Sequence, residues 1–239
     1  MQEWFAVFQK DFYQSFIEGD RWKLYLEGLG NTLAVTVVAL MMGVCLGVLV
    51  ALVRTLHDQQ RLDSKNPVLG FFNGLCQVYT TVIRGTPMMV QLLIMYTVIL
   101  ANSRNTLGVA MLSFGINSGA YVSEIIRGGI MSVDPGQTEA GRSLGLNYVK
   151  TMRFIVVPQA VKNILPALGN ELIALVKETS IVTVIGLRDL TKVAQLVQGK
   201  AYQKFMPLLG VALVYLVIVM ILTWAMGKLE RRMRASDQR

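Results

Sequence analysis

Charge and reactive side chains are what this sequence has least of. Only 16% of its 239 residues are charged, a single histidine, His57, is present, and there are two cysteines, Cys45 and Cys76. Both cysteines sit inside apolar runs with no C-x-x-C pair, which excludes a disulfide framework and a cysteine-histidine zinc site and leaves them as small packing residues. No G-x-x-x-x-G-K-[ST] loop is present to cradle nucleotide phosphates, and neither H-E-x-x-H nor D-x-D-x-D-G occurs. The chain therefore has no means of its own to bind and split a nucleotide. Clustered aspartates or a headgroup-level histidine, which a membrane-bound lipid enzyme would need, are missing too. So is the internal repeat that marks many secondary transporters. The N-terminus lacks a basic stretch followed by an apolar core and a small-residue cleavage site, so no cleavable leader is expected and the first apolar span takes over membrane targeting.

Apolar surface is what the chain has in excess. It is 53% hydrophobic with a mean hydropathy of +0.48, a balance that points to lipid rather than water as the solvent. Its net charge of +8 could suggest nucleic acid, but the basic residues fall between apolar runs and in the tail, where they orient a membrane protein.

About 20 apolar residues cross a bilayer as a helix. One uncharged run lies between Glu27 and Arg54, with Gly43 and Gly47 at the spacing that lets helices approach closely. A second lies between Lys65 and Arg104 and is interrupted by Arg84-Gly85-Thr86-Pro87. Proline removes a donor and disfavours helix at the residue before it, so a break is expected at Gly85 or Thr86. Unwound backbone at membrane depth is tolerated only where protein or a watery cavity covers it. Further spans are expected at 106–130, at 167–187 (the least apolar, with Glu171, Lys177 and Glu178) and at 207–227. The expected fold is thus an all-α membrane protein of about five transmembrane helices. Residues 1–26 mix aromatics with charges and read as an interfacial amphipathic segment, 27–232 as one transmembrane domain, and 233–239 as a tail. The arginine and lysine bias, strongest beside the last span, places the N-terminus outside and the C-terminus in the cytoplasm.

Between the third and fourth spans lies a polar loop, 134–166, that opens Asp134-Pro135-Gly136-Gln137-Thr138-Glu139. Pro135-Gly136 makes a turn, Thr138 suits a helix cap, Glu139 suits the positive end of a helix, and Gly145 suits its termination. A helix of about two turns is not stable alone in water, so it needs a surface to dock on.

Glu139-Ala140-Gly141, then Gly145, then Ile155-Val156-Val157-Pro158 resemble the EAA loop of permease subunits of ATP-binding-cassette importers. Gly141 stands where alanine is usual, a departure shared with the amino acid branch. Arg84-Gly85-Thr86-Pro87 with Gln91, Asn117-Ser118-Gly119-Ala120-Tyr121 with Glu124 and Arg127, and Gly169-Asn170-Glu171 with Lys177-Glu178-Thr179-Ser180 are similar to the polar amino acid branch, which serves histidine, arginine, glutamine and glutamate uptake. That resemblance, from about residue 27 to 232, implies a type I importer permease fold in a bacterial cytoplasmic (inner) membrane. It also implies a second permease subunit, identical or similar, two ATPase subunits that bind ATP and Mg, and an extracytoplasmic amino acid-binding protein. The chain itself would carry no cofactor, catalyse no covalent step and bind no nucleic acid. The resemblance places ATPase coupling on Glu139, Ala140, Gly141, Arg142, Ser143, Leu144, Gly145 and Leu146. Candidates for the substrate path are Thr86, Gln91, Asn117, Ser118, Asn170, Glu171, Lys177, Glu178, Thr179 and Ser180. A secondary transporter or channel without an ATPase is the alternative.

Blander readings stand beside these. Arg84, Glu124 and Arg127 can be boundary charges that only hold structure, and Met88 and Met89 read as core. Glu171 lies inside a span, where a lone carboxylate is costly. It either hints at a cationic substrate or is paired with Lys177 or Arg84. Lys177 and Glu178 form a polar gate or pair with a second subunit.

Overall fold

The computed structural model describes residues 2–60 and 66–235, and every regular element in them is helical. Helix α1 (Gln2–Phe12) passes through a π-helical turn (Tyr13–Ile17) and a kink at Gly19 and Asp20, both at positive φ, into α2 (Arg21–Asp58). The aromatic segment expected at 1–26 is therefore helical, and α2 starts inside it. Trp4, Phe5, Phe8 and Phe12 of α1 are exposed.

The interrupted run forms α3 (Pro67–Gly85) and α4 (Met88–Ile94), the latter extended by a π turn (Met95–Ile99), and the two halves are bent by 108°. The break falls at Thr86, whose backbone is extended, as the following proline requires. Then come α5 (Thr106–Met131), the short loop helices α6 (Pro135–Ser143) and α7 (Tyr148–Thr151), and α8 (Val157–Glu178), which continues as a 3-10 segment (Thr179–Ile185). The chain closes with α9 (Leu190–Ala201) and α10 (Met206–Ala235).

Three helical stretches among the described residues are long and apolar enough to cross a membrane, or four when the bent α3–α4 pair is taken as one span. The expected fourth span needs correction. Its helix starts at Val157 rather than at 167, runs through Pro166, and gives way to the 3-10 segment ahead of Gly186 at φ +80. A proline inside a helix costs one hydrogen bond and is tolerated where neighbouring helices cover the gap.

Glycine sets the central packing. On α2, a Cβ at Gly43 would lie 2.6 Å from Ser118 Oγ, and one at Gly47 would lie 2.6 Å from Val122 Cγ1 and 2.9 Å from the Ser123 nitrogen. Gly115 and Gly119 of α5 return the contact against Met42 and Leu46 of α2. The paired positions advance together, so α2 and α5 are parallel neighbours, and the α3–α4 pair is the crossover that brings the chain back between them. Helix α8 runs antiparallel to α5, with Gly129 against Ile164 near one end and Ser118 against Glu171 farther along. The main core forms where α2, α4, α5, α8 and the 3-10 segment meet, around Val35, Leu92, Phe114, Leu175 and Val182. A second cluster joins Tyr25 to Leu190, Val193 and Val197 of α9 and Val211 of α10. Outward-facing Leu213, Leu216, Val217, Met220 and Trp224 leave much of α10 uncovered, as lipid contact requires.

Candidate functional site

Two polar centres lie along α5. In the first, a line of hydrogen bonds follows the break in the second span. Gln91 Nε2 donates to the Thr86 hydroxyl at 2.8 Å and to the Ile83 carbonyl at 2.7 Å, while its Oε1 accepts from Asn117 Nδ2 at 2.9 Å. One glutamine thus ties the unwound Thr86-Pro87 break to α5 and satisfies backbone that the proline leaves without a helical partner. Ser118, the next residue on α5, donates its hydroxyl to Glu171 Oε1 of α8 at 2.9 Å. Ser118 is fully buried, and Gly43 is what leaves room for it. Thr86, Gln91 and Asn117 are therefore joined between α4 and α5, and Ser118 and Glu171 between α5 and α8, the two sets of bonds starting from adjacent residues of α5.

Asn170 is not part of this group. One residue back along α8, it is exposed, as a turn of about 100° per residue dictates. Lys177 and Glu178 are also exposed at the end of α8, whereas Thr179 is buried and donates to the Val176 carbonyl at 2.7 Å, and Ser180 is half-buried. Of the two methionines expected in the core, Met88 packs there and Met89 is exposed.

About two turns farther along α5 lies the second centre, built of charge. Glu124 Oε1 accepts from Arg54 of α2 and lies 4.0 Å from Arg84, while its Oε2 lies 3.8 Å from Arg127. Arg127 meets Asp58 at 3.1 Å, and Arg54 also donates to the Thr80 hydroxyl at 3.4 Å. The expectation that Glu124, Arg84 and Arg127 hold structure is met in part. They bolt α2, α3 and α5 together, with Arg54 and Asp58 as members that linear motif reading did not supply. Arg84 pairs with Glu124, and Glu171 bonds to Ser118 rather than to Lys177 or Arg84.

The loop helix needs a correction at its start. Asp134, not Thr138, is the cap, its Oδ1 accepting from the Gly136 nitrogen at 2.8 Å, and Pro135 takes the first helical position, where its missing N–H costs nothing. Its end is as expected. Gly145 at φ +80 stops α6, the Gly145 nitrogen donating to the Arg142 carbonyl at 2.9 Å and the Leu146 nitrogen to the Gly141 carbonyl at 3.1 Å, the bond pair of a glycine-terminated helix. Gly141 is the buried contact point, since a Cβ there would lie 2.9 Å from both Thr151 and Ile155. Glu139, Ala140, Arg142, Ser143, Leu144 and Gly145 face outward and Leu146 is half-buried, with Leu144 81% exposed. Tyr148, at the start of α7, donates to Gln59 just past the end of α2, and partial burial pushes its hydroxyl pKa up. Read as letters, Gly141-Arg142-Ser143-Leu144-Gly145 also spells a hydrolase nucleophile elbow. That motif needs a strand before the serine. Here the serine ends a helix and donates to the Glu139 carbonyl at 3.0 Å, so no nucleophile is presented.

Residues 68–235 match the model of the binding-protein-dependent transport system inner membrane component family. The chain belongs to that family. Within it, the chain is 40% identical to the arginine transport system permease protein ArtQ of Bacillus subtilis, over 89% of this chain and 93% of the relative. It is 35% identical to the glutamine transport system permease protein GlnP of Escherichia coli K12, over 88% and 93% of the two chains. Among solved structures it is similar to an amino acid ABC transporter crystallised with histidines, at 40% identity, a TM-score of 0.79 and coverage of 88% and 94%. The inward-facing MetNI methionine ABC transporter, at 17% identity and a TM-score of 0.73, shares the fold. This chain is accordingly the permease subunit of a polar amino acid ABC importer, an inner membrane component that works with ATPase and binding-protein partners and is not itself catalytic. Membership of that family sets aside the ATPase-independent transporter.

Sequence reasoning missed helix α9 and its cap. Asp189 is fully buried and accepts from the Thr191 nitrogen at 3.0 Å, the Lys192 nitrogen at 2.9 Å and the Thr183 hydroxyl at 2.8 Å. The signal was available as Gly186 followed by Asp189-Leu190-Thr191, a helix stop and then a cap.

Proposed function

We propose that this permease carries a cationic amino acid along the seam between α4, α5 and α8, with Glu171 facing the positive side chain. The observation that carries this is Glu171 itself, an acidic group inside the bundle that accepts a hydrogen bond from a neutral hydroxyl, Ser118. A carboxylate at membrane depth is costly unless a cation or water meets it, and such groups mark solute paths. Thr86, Gln91 and Asn117 line the same seam, and Lys177, Glu178, Thr179 and Ser180 stand where α8 passes into its 3-10 segment and form a polar gate. The names of the arginine and histidine relatives agree with this substrate class, while the glutamine relatives favour a neutral one.

Five spans serve this role, with α8 as the one whose charges keep it from reading as a span by hydropathy. The N-terminus is outside and the C-terminus cytoplasmic, so that α6 and the ends of α2 and α5 share the cytoplasmic side. Residues 1–26 lie against the membrane interface and 27–232 form the transporting domain. The outward face of α6 from Glu139 to Leu146 docks on an ATPase subunit that binds ATP and Mg, and closure of two ATPases moves it. A second permease subunit, identical or a close paralogue, completes the assembly, and an extracytoplasmic binding protein delivers the amino acid.

Competition uptake with the assembled transporter in proteoliposomes tests the substrate class. Glu171→Gln is expected to reduce arginine transport by about tenfold, the effect of roughly 1.4 kcal/mol, while glutamine transport changes little. Equal losses for both amino acids would remove Glu171 from the selectivity of the path.

A further inference from the structure

The charged centre beside the seam has one guanidinium too many. Among the described residues that compose it, Arg54, Arg84 and Arg127 face only Glu124 and Asp58. Arg127 is committed to Asp58 through two nitrogens at 3.1 Å, and Arg54 is bonded to Glu124 and to Thr80. Arg84 is what remains. It is the second claimant on an oxygen that Arg54 already holds, it stands 4.0 Å away, and its side chain is 43% exposed where Arg54 is 13% and Arg127 27% exposed. Its position is nonetheless fixed, because the guanidinium lies over the Tyr121 ring, 5.4 Å from the centroid. A ring face orients a cation without neutralising it. An arginine set between two apolar helices with only part of its charge met belongs in a solute path rather than against lipid.

Its place relative to the polar seam gives that surplus charge a role. Arg84 is the next-to-last residue of α3, just ahead of the unwound Thr86-Pro87, and Thr86 is held by Gln91. On α5, Tyr121 follows Ser118 by three residues, so the group under Arg84 and the group that holds Glu171 share one face, about 4.5 Å apart along the helix axis. The α5 residue under the positive group and the α5 residue that bonds the negative group thus sit one turn apart on the same helix. That spacing lies within the reach of one basic amino acid, whose α-carboxylate and side-chain cation carry the complementary charges.

We propose that Arg84 binds the α-carboxylate of the transported amino acid, with Glu171 facing its cationic side chain. The proposal deepens the cationic-substrate reading of Glu171 and rests on it for the ligand's orientation. The planar guanidinium suits a carboxylate because two parallel N–H groups meet two oxygens. Glu124, shared between Arg54 and Arg84, is the group from which the incoming carboxylate draws Arg84 away. Placement on the rigid end of α3, at the break itself, lets the same contact report to α4 that the path is occupied.

Equilibrium binding to the permease–ATPase complex in nanodiscs, without the binding protein, tests this with three probes. These are arginine, arginine amide, in which the carboxylate is blocked, and citrulline, in which the side-chain charge is removed. Wild-type protein is expected to bind arginine about tenfold or more tighter than the amide, in line with a charge-assisted bond. Arg84→Gln is expected to bring the arginine-to-amide ratio close to one while leaving the preference for arginine over citrulline in place. A wild-type ratio near one, or an Arg84→Gln ratio equal to that of the wild type, overturns the proposal even if overall affinity falls. Arg84→Lys keeps the charge beside Glu124 and serves if the glutamine variant does not assemble. Its ratio is expected to fall below the wild-type value, since the fork is lost, and an unchanged ratio overturns the proposal too. Glu171→Gln is the separate arm: its arginine-to-citrulline ratio judges the cationic-substrate reading, and its arginine-to-amide ratio still judges Arg84.

Discussion

The seam between α2 and α5 and the loop of α6 and α7 are both organised by glycine, to opposite ends. In the seam, Gly43, Gly47, Gly115 and Gly119 remove side chains so that two long helices touch, and the absent Cβ atoms would collide with atoms of the facing helix. In the loop, Gly145 touches nothing within 4 Å of where its Cβ would be; its contribution is a positive φ that ends α6 and turns the chain. The seam is closely packed and supported by that packing. The loop helix is short, largely exposed and held by one cap, one buried glycine and the Tyr148–Gln59 bond. Lipid adds no hydrophobic drive between helices, so close packing must hold the seam. A nine-residue helix in water lacks the length to hold itself, so a partner must complete it.

Three substitutions sharpen that contrast. Gly47→Leu should have the largest effect, because its Cβ would meet Val122 and the backbone nitrogen of Ser123 at 2.6 and 2.9 Å. Overpacking of this kind costs about 1–3 kcal/mol, and more where backbone is in the way. Recovery of monodisperse protein from detergent should collapse, and wild-type recovery would show that the two helices can part. Gly145→Leu should act at the other end of the molecule. Insertion and yield stay normal, since the site is open, while ATP-driven uptake falls sharply because holding leucine at positive φ costs about 1–2 kcal/mol and reshapes the face of α6. Normal coupled uptake by that variant would take Gly145 out of the docking surface. Asp134→Ala is the mildest, removing a cap worth about 1 kcal/mol. Hydrogen exchange should quicken at 136–140 and stay unchanged in α2 and α5; equal protection in both regions would mean the loop does not depend on its cap.

Much of the fold was legible because apolar length and proline position act locally. The runs around α2, α5 and α10 and the break at Thr86 need only the residues themselves to be read. Helix α8 was read as starting late because Lys162 interrupts the hydropathy and because Pro166 looked like a boundary. The neighbours that cover a proline in a bundle are far away in sequence. Of the candidate path, Thr86, Gln91 and Asn117 meet one another and Ser118 meets Glu171, whereas Asn170 turns outward. That distinction depends on helix phase relative to a neighbour.

The sequence by itself determined that this chain lives in lipid, that its second span breaks before Pro87, and that a loop helix ending at Gly145 must find a partner. These follow from solvation and backbone sterics, which act on each residue where it stands. Only the tertiary structure decided that Ser118 meets Glu171, that Arg54 rather than Arg84 holds Glu124 most closely, and that Gln91 closes the gap left by the broken helix. Such pairings join residues from 8 to 70 positions apart, and they exist only once close helix packing has set every register.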